Sequence, residues 1–428
     1  MNESPNQNTS LKFPDNFLWG TATSAHQVEG NNINSDWWAW EQEFAGKENG
    51  PKEASGIACD SYNRYEEDFK IAKALNNNTH RLSIEWARIE PEEGKFNLDE
   101  IEHYRKVLQS VKNNGMVTFV TLWHFTLPNW LRGEKGIGNI HTPYFFARYS
   151  KLIVETLGQD IDYYVTLNEP IVYATLRHVL KWWVPNINSN YFYFIDSWLG
   201  MVRMHKAAYK AIKEINPNAQ VGVVENLMDI EPTSKSIFDK AICELRRLYQ
   251  YKVFLDALKN HTDFIGINYY FHEWFGVAKF FERFSQLAFG NFGQRENDTS
   301  DWGWLIYPKG LYNVVKDISN RYKKPIYITE NGLANADDSK REKFIVGHLA
   351  WLNKAIQEGC DVRGYMHWSL LDNFEWAEGY KWKFGLVEVD RNNNLQRNVR
   401  PSAHAFAQIC KENGISEELL QKHGFDHI

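Results

Sequence analysis

The chain has 428 residues, of which 43% are hydrophobic and 24% are charged, the composition of a folded globule with a sizeable core. The formal net charge of −6 argues against a surface that binds nucleic acid or an anionic membrane. Residues 1–12 are polar and lack the apolar core of a signal peptide, so they predict a flexible N-terminal segment. The longest apolar runs, such as Met116–Trp123, are too short to span a bilayer.

The four cysteines lie far apart in the chain and form no Cys-x-x-Cys pair. This spacing predicts reduced thiols, with neither a disulfide framework nor a zinc site. Together with the polar N-terminal segment, the spacing predicts a cytoplasmic protein. The cysteines are Cys59, Cys243, Cys360 and Cys410.

Eight short runs rich in β-branched and aromatic residues recur along the chain, and each predicts a strand. The stretches between them have the apolar spacing of helices, as in Tyr65–Leu75 and Arg341–Leu352. This alternation predicts an α/β protein with a single (β/α)8 TIM-barrel domain over residues 1–428 and extended strand-to-helix loops. The predicted strands are Phe17–Thr23, His80–Ile84, Val117–Trp123, Tyr163–Leu167, Val221–Glu225, Phe264–Asn268, Ile326–Thr329 and Gly364–Trp368.

Two of the predicted strands are followed by a glutamate. Glu169 comes after Tyr163–Leu167, and Glu330 comes directly after Ile326–Thr329. Either residue alone also fits an ordinary surface glutamate before a turn. Because the carboxyl ends of parallel barrel strands meet at one rim, the two together offer the paired carboxyl groups of glycoside hydrolysis.

Polar or aromatic side chains stand at the ends of seven of the eight predicted strands. Any one of them fits a hydrogen-bonded core residue. Seven strands that converge on such ends are better explained by a pocket at the rim. The residues are Gln27, Arg81, His124, Asn168 with Glu169, Asn268 with Tyr270, Glu330, and His367 with Trp368.

The most specific strings in the chain are Thr166–Pro170, Ile328–Gly332 and Trp368–Trp376. These strings resemble glycoside hydrolase family 1, the retaining β-glycosidases of the β-glucosidase and β-galactosidase type, and the resemblance covers nearly the whole chain. Asn-Glu-Pro is shared with other barrel glycanases, whereas the tract around Glu375 and Trp376 separates family 1 from those endo-acting relatives. The resemblance implies an exo-acting enzyme that releases terminal non-reducing β-D-glucosyl, β-galactosyl or β-fucosyl residues through a glycosyl-enzyme intermediate.

By this resemblance, Glu330 is the nucleophile, Glu169 is the acid/base, and Arg81, Tyr270 and Asn268 complete the catalytic set. A guanidinium and a phenol beside Glu330 favour its ionised form, and the charge of Glu330 raises the pKa of Glu169. The retaining mechanism implies that the two carboxyl groups are roughly 5–5.5 Å apart, against ~6.5–9.5 Å for inversion.

The same resemblance implies a sugar-binding set in which Trp368 is the stacking floor and Glu375 is a charged acceptor for two adjacent hydroxyls. No cofactor is implied, and no ligand spacing predicts a metal site. The expected partners are small β-glycosides or oligosaccharides, and a homo-oligomer is left open. The sugar-binding residues are Gln27, His124, Phe125, Asn168, Trp368, Glu375, Trp376 and Phe384.

Three alternatives compete with this interpretation. A 6-phospho-β-glycosidase of the family typically carries Ser at the position of Glu375, Lys at that of Trp382 and Tyr at that of Phe384. Here a carboxylate would face the phosphate, and like charges about 4 Å apart repel by roughly 4 kcal/mol at an effective dielectric near 20. A catalytically silent sugar-binding module typically lacks one catalytic glutamate, whereas this chain has both. A barrel endo-glycanase of another family is disfavoured by the tract around Glu375 and Trp376.

Two departures from the family pattern limit what the resemblance implies. Phe125 stands where the family usually has Trp, which removes an indole N–H donor near the 3-hydroxyl of the sugar. After Pro170, the usual Gly-Tyr and Pro-Pro-Gly pattern is replaced by Val179–Asn186 and its neighbours. The resemblance therefore implies no particular leaving group.

Overall fold

The computed structural model describes residues 10–132, 136–184, 191–282 and 299–428. Within these ranges eight parallel strands close into a barrel in chain order, which confirms the predicted TIM barrel. Each strand begins and ends within two residues of its predicted bounds. The strands are β1 (Leu18–Ala22), β2 (Thr79–Ser83), β3 (Val117–Thr121), β4 (Tyr163–Asn168), β5 (Gln220–Asn226), β6 (Phe264–Tyr269), β7 (Ile326–Asn331) and β8 (Val362–Trp368).

A long helix follows each strand, and both amphipathic stretches predicted from the sequence lie in these helices. The helices are α1 (Ser61–Ala74), α2 (Leu98–Asn113), α3 (Thr142–Leu157), α4 (Tyr191–Ile215), α5 (Ile237–Arg247, continuing through a π turn at Leu248–Lys252 to Val253–Leu258), α6 (Pro308–Tyr322), α7 (Arg341–Gln357) and α8 (Pro401–Glu412). Shorter helices lie at Ala25–Val28, Asp36–Phe44, Trp86–Ile89, Pro170–Ala174, Val277–Glu282 and Glu417–His423, with a π turn at Thr175–Val179 and 3-10 turns at Asn129–Leu131, Gly136–Gly138, Gly158–Asp160 and Trp376–Glu378.

The barrel strands are apolar on both faces, because one face fills the barrel and the other packs against the helices. In β5, Val224 belongs to the cluster inside the barrel, with Phe119 and Phe264. Val221 and Val223, which alternate with Val224, belong to the larger cluster between the strands and the helices. This alternation decides which residues at the strand ends face the pocket.

The segment predicted to be flexible is partly ordered. Residues 1–9 lie outside the described residues, but Leu11–Lys12 forms a short strand. It pairs in antiparallel fashion with Gly414–Ile415. The backbone hydrogen bonds of this pairing order the last two residues of the predicted segment.

The four cysteine side chains are buried and unpaired, as the sequence predicts. Among the helices in the described ranges, none is long and apolar enough to cross a membrane. Two further pairs of short strands in the described ranges lie outside the barrel. Val387–Asp390 pairs with Gln396–Val399 in antiparallel fashion. Asp229–Pro232 pairs with His272–Phe275 in parallel fashion.

A buried ion pair joins α1 to the C-terminal part of the chain. Arg397 Nε donates to Asp68 Oδ1 over 2.9 Å, and the two side chains are 1% and 4% exposed. The same guanidinium donates to the Cys59 carbonyl oxygen over 2.7 Å. Removing Arg397 would leave a carboxylate buried without its charged partner, which is strongly destabilising.

We therefore expect Arg397→Leu to lower the free energy of unfolding by roughly 3–5 kcal/mol, measured by urea unfolding followed by circular dichroism. The matched control is Arg363→Leu, because Arg363 pairs with Asp361 at 54% and 50% exposure. Exposed pairs contribute about 0–1 kcal/mol. Equal losses in the two variants would contradict the role of burial.

Candidate active site

A cavity of about 570 Å³ lies at the carboxyl ends of the barrel strands. Eleven of the thirteen predicted site residues line it, whereas Arg81 and Asn268 lie behind this lining. The strand ends therefore converge as the sequence predicts. The lining residues from the predicted set are Gln27, His124, Phe125, Asn168, Glu169, Tyr270, Glu330, Trp368, Glu375, Trp376 and Phe384.

Glu330 lies near the end of β7 and is held by a cation and a phenol. Arg81 Nη1 donates to Glu330 Oε1 over 2.6 Å, and Tyr270 donates to Glu330 Oε2 over 2.8 Å. Arg81 is 1% exposed and comes from β2, on the other side of the barrel. Both partners stabilise the charged form of the Glu330 carboxyl group.

Glu169 follows β4 and begins the short helix Pro170–Ala174 with a left-handed φ of 45°. Two neutral amides bind its Oε1, from Asn268 over 2.7 Å and from Asn226 over 3.0 Å. Thr329 donates to Asn268 Oδ1 over 2.8 Å, so the amide nitrogen of Asn268 is the end that faces Glu169. The two amides therefore orient the Glu169 carboxyl group but provide no positive charge to pair with it.

The two carboxyl groups are both buried, and they differ in their partners. Burial raises the pKa of Glu169 to about 8, the charge of Glu330 adds to this, and the amides of Asn268 and Asn226 oppose it. Burial also raises the pKa of Glu330, and Arg81 and the hydrogen bond from Tyr270 offset part of this increase. The arrangement therefore favours a proton on Glu169 and a negative charge on Glu330.

Asn168 and His124 form a hydrogen-bonded pair whose direction can be assigned. Arg81 Nη2 donates to Asn168 Oδ1 over 2.6 Å, so Asn168 Nδ2 is the atom that faces His124 Nε2 at 3.2 Å. His124 Nε2 must then accept, which places the ring proton on Nδ1. Burial and the charge of Arg81 hold the pKa of His124 well below its usual range, so the ring is neutral. Nδ1 is buried and makes no hydrogen bond to a described residue.

Gln27 presents an acceptor to the cavity. Its Nε2 donates to the Phe374 carbonyl oxygen over 2.9 Å and to Asn373 Oδ1 over 3.1 Å, which uses both amide protons. Ser24 donates to Gln27 Oε1 over 2.6 Å. The second lone pair of Oε1 remains for a hydroxyl donor.

Comparison with known proteins agrees with this geometry. The model of Glycosyl hydrolase family 1 matches residues 9–258 and 254–415. The chain belongs to this family. The match covers the strands that carry both glutamates, as the strings around Glu169 and Glu330 predict.

Similar proteins cover almost the entire chain. Beta-glucosidase A of Thermotoga maritima is 32% identical over 451 aligned residues, which span 95% of this chain and 99% of that protein. The beta-galactosidase of Saccharolobus solfataricus is 30% identical over 481 residues, spanning 95% and 96%. The solved structure of a beta-glycosidase from Pyrococcus horikoshii has a TM-score of 0.87 and 36% identity, and covers 97% of this chain and 98% of its own.

In this family 1 chain, Glu375 is a buried residue of the cavity lining. Trp368 Nε1 donates to its Oε1 over 3.4 Å, and Glu375 is 8% exposed. Burial raises the pKa of Glu375 to about 8, and the nearby carboxyl groups of Glu330 and Asp372 add to this. The raised pKa favours the protonated form of Glu375 in the free protein. Its expected role as a charged acceptor for two adjacent hydroxyls stays a prediction.

An aromatic cluster supports the wall of the cavity. Trp376 lies parallel to the rings of His26 at 5.6 Å and of His124 at 6.1 Å between centroids. Phe125, with a left-handed φ of 77°, packs edge-on against Trp376 at 5.2 Å and Trp183 at 4.8 Å. Trp183 belongs to the loop that departs from the family pattern, so this loop contributes an aromatic surface next to Phe125.

The structure adds residues that the sequence interpretation missed. Asn226 is the last residue of β5, the one strand for which no polar end was named, and its position directly after the predicted strand could have identified it. Trp183, Trp302 and Trp304 also line the cavity, but they come from long loops whose course the strand pattern does not predict. Trp302 lies nearly parallel to Trp304 at 4.4 Å and to Trp382 at 5.1 Å.

The protonation of Glu375 makes stability depend on pH. With an unfolded pKa near 4.5 and a folded pKa of about 8, the carboxyl group gains a proton on folding between these values. The free energy of unfolding then falls by about 1.4 kcal/mol per pH unit across that window. We expect Glu375→Gln to be about as stable as the parent at pH 4.5 and increasingly more stable towards pH 8.

Urea unfolding at pH 4.5, 6 and 8 would measure this difference. Gln keeps an acceptor oxygen for Trp368 and cannot ionise, so it isolates the charge. A constant difference between variant and parent across this range would show that folding does not raise the pKa of Glu375.

Proposed function

We propose that the chain is a retaining, exo-acting β-glycosidase that releases terminal non-reducing β-D-glucosyl residues, with β-galactosyl and β-fucosyl residues as the alternatives. One observation carries this proposal. Glu330 and Glu169 line one cavity, the first paired with a guanidinium and the second bound by neutral amides. A nucleophile and an acid require this difference in charge.

In the first step, Glu330 Oε attacks the anomeric carbon while Glu169 gives its proton to the departing oxygen, and a covalent glycosyl ester forms. Tyr270 and Arg81 stabilise the attacking carboxylate until its charge is transferred. In the second step, Glu169 takes a proton from water, the water oxygen attacks the same carbon, and Glu330 leaves. A separation of roughly 5–5.5 Å between the two carboxyl groups stays a prediction of this mechanism.

The terminal sugar would be held by donors and acceptors that face the same cavity. Asn168 offers a proton, Gln27 offers an oxygen, and Glu375 offers an oxygen and, in its protonated form, a proton. His124 lies in the same lining. Trp368 supplies an aromatic face for the sugar ring. The printed names of the relatives, beta-glucosidase and beta-galactosidase, support this substrate class. The proposal includes a cytoplasmic location, which the four buried free thiols support.

The decisive experiment follows the stereochemistry of hydrolysis by proton NMR. With nitrophenyl β-glucoside, the first product is expected to be the β-anomer, and Glu330→Gly is expected to lower kcat by at least about 10³-fold, since removing a nucleophile abolishes the covalent route. A panel of β-glucoside, β-galactoside, β-fucoside and β-mannoside ranks the sugars. An α-anomer as first product would rule out the retaining mechanism, and absence of hydrolysis would favour a silent sugar-binding module.

The surroundings of Glu375 bear on the phosphosugar alternative. The charged groups with the largest effect on it are the carboxyl groups of Glu330, Asp372 and Glu169. A phosphate placed there would be repelled by the carboxylate of Glu330 whether or not Glu375 itself is protonated. Trp382 and Phe384, at positions where the phosphosugar branch carries Lys and Tyr, supply no cation.

We expect kcat/KM for nitrophenyl β-glucoside to exceed that for its 6-phosphate by at least about 100-fold, which corresponds to roughly 2.7 kcal/mol of repulsion. Steady-state kinetics at pH 7 and constant ionic strength would measure both values. A preference for the phosphorylated substrate would establish the alternative.

A further inference from the structure

Asn331 is a buried amide next to the proposed nucleophile, and the proposed reaction does not use it. It is the last residue of β7, directly after Glu330, and it is 0% exposed. It lies behind the described lining of the cavity. Because a buried amide is unfavourable unless its polar atoms are hydrogen-bonded, its partners indicate what it does.

A bulge in β7 precedes Asn331. Between Ile328 and Glu330, β7 advances by two residues while its neighbour β6 advances by one. Thr329 and Glu330 are successive residues, yet both face the inside of the barrel, since Thr329 donates to Asn268 Oδ1 over 2.8 Å and Glu330 lines the cavity. A bulge interrupts the alternation of a strand and redirects its side chains in this way. The side chain of Asn331 then faces the layer between the strands and the helices.

The Asn331 amide connects three neighbouring strands. Its Nδ2 donates to the carbonyl oxygen of Tyr269, at the end of β6, over 2.7 Å. Tyr365 of β8 donates its hydroxyl to Asn331 Oδ1 over 2.9 Å. A carbonyl oxygen can only accept, so the amide nitrogen is the atom that faces Tyr269. Asn331 and Tyr269 are also the last residues paired between β7 and β6, so the side chain fastens the two strands where their backbone pairing ends.

The Tyr269 carbonyl group belongs to the peptide that leads into Tyr270. Tyr270 donates its phenol to Glu330 Oε2 over 2.8 Å. A closed ring therefore runs from Glu330 through Asn331 to Tyr269, along the chain to Tyr270, and back to Glu330. Two links of this ring are hydrogen bonds and the others are covalent. The bond from Asn331 Nδ2 thus determines how closely the phenol approaches the carboxylate.

We propose that Asn331 is a positioning residue for the nucleophile, because its amide fixes the Tyr269–Tyr270 peptide where the Tyr270 phenol reaches Glu330. This inference rests on the proposed function. Arg81 binds the other oxygen of the carboxyl group, Oε1, and comes from β2. The contact from Arg81 is therefore independent of the Asn331 amide.

The role predicts a change in the pH dependence of hydrolysis. The hydrogen bond from Tyr270 lowers the pKa of Glu330, so a displaced phenol raises it. The variant Asn331→Leu removes the donor at similar volume. We expect it to lower kcat/KM for nitrophenyl β-glucoside by about 10-fold and to move the acid limb of the pH profile up by about half a pH unit or more. The charged or ionisable groups around Glu330 that the variant keeps are Arg81, Glu169, Tyr270 and Glu375.

A double-mutant cycle with Tyr270→Phe tests whether the effect passes through the phenol. In the Tyr270→Phe background, Asn331→Leu is expected to lower kcat/KM by less than ~3-fold, because the contact that it disturbs is already absent. Steady-state kinetics of the parent, both single variants and the double variant between pH 4 and 8 would measure this coupling.

The matched control is Asn353→Leu. Asn353 lies in α7, is 1% exposed and donates its Nδ2 to a backbone carbonyl oxygen, that of Lys12, over the same 2.7 Å. This variant is expected to lower the free energy of unfolding and to leave the acid limb in place. Asn331→Ala removes the amide without adding bulk and replaces the leucine variant if that variant does not fold.

Three results would overturn the positioning role. They are an unchanged acid limb in the Asn331 variant, an equal loss of kcat/KM in both backgrounds, and the same movement of the acid limb in Asn353→Leu.

Glu330→Gly separates this inference from the proposed function. If Glu330→Gly abolishes hydrolysis and Asn331→Leu leaves the acid limb unchanged, Asn331 has no positioning role and the proposed function stands. If Glu330→Gly retains the activity of the parent, the assignment of the nucleophile fails first.

Discussion

The ion pair between Arg81 and Glu330 is the interaction on which the rest of the site depends. It places a guanidinium at 1% exposure against a carboxyl group at the centre of a cavity that several acidic groups face. The same guanidinium fixes the oxygen of Asn168, which turns the Asn168 amide towards His124. The direction of that hydrogen bond places the proton of His124 on Nδ1. One cation therefore sets the charge of Glu330 and the donor pattern beside it.

The stability of the barrel offsets the cost of burying several carboxyl groups in one site. Burying Glu169, Glu225, Glu330 and Glu375 is unfavourable, and Arg81 compensates directly for only one of them. Burial raises the pKa of each of the others, which favours their neutral forms. A closed barrel with two apolar layers supplies the stability that such a site removes.

Much of this molecule could be predicted from its sequence, because the strands recur at regular intervals and the residues at each strand end directly follow an apolar run. Glu169, Glu330 and Asn168 were placed by their position after apolar runs, and the resemblance to family 1 added their roles. What could not be predicted depends on tertiary neighbours. Trp183 reaches Phe125 from a separate loop. The raised pKa of Glu375 follows from its burial among other acids, which no local string reveals.

The negative charge of Glu330 connects the two proposed roles of Glu169. Burial raises the pKa of Glu169 most, and it does so already in the free protein, so the departure of a leaving group does not remove this effect. The charge of Glu330 adds to the increase, whereas the amides of Asn226 and Asn268 oppose it. In the proposed mechanism, Glu330 loses its charge when it becomes an ester. The pKa of Glu169 then falls, which favours its proposed role as a base in the second step.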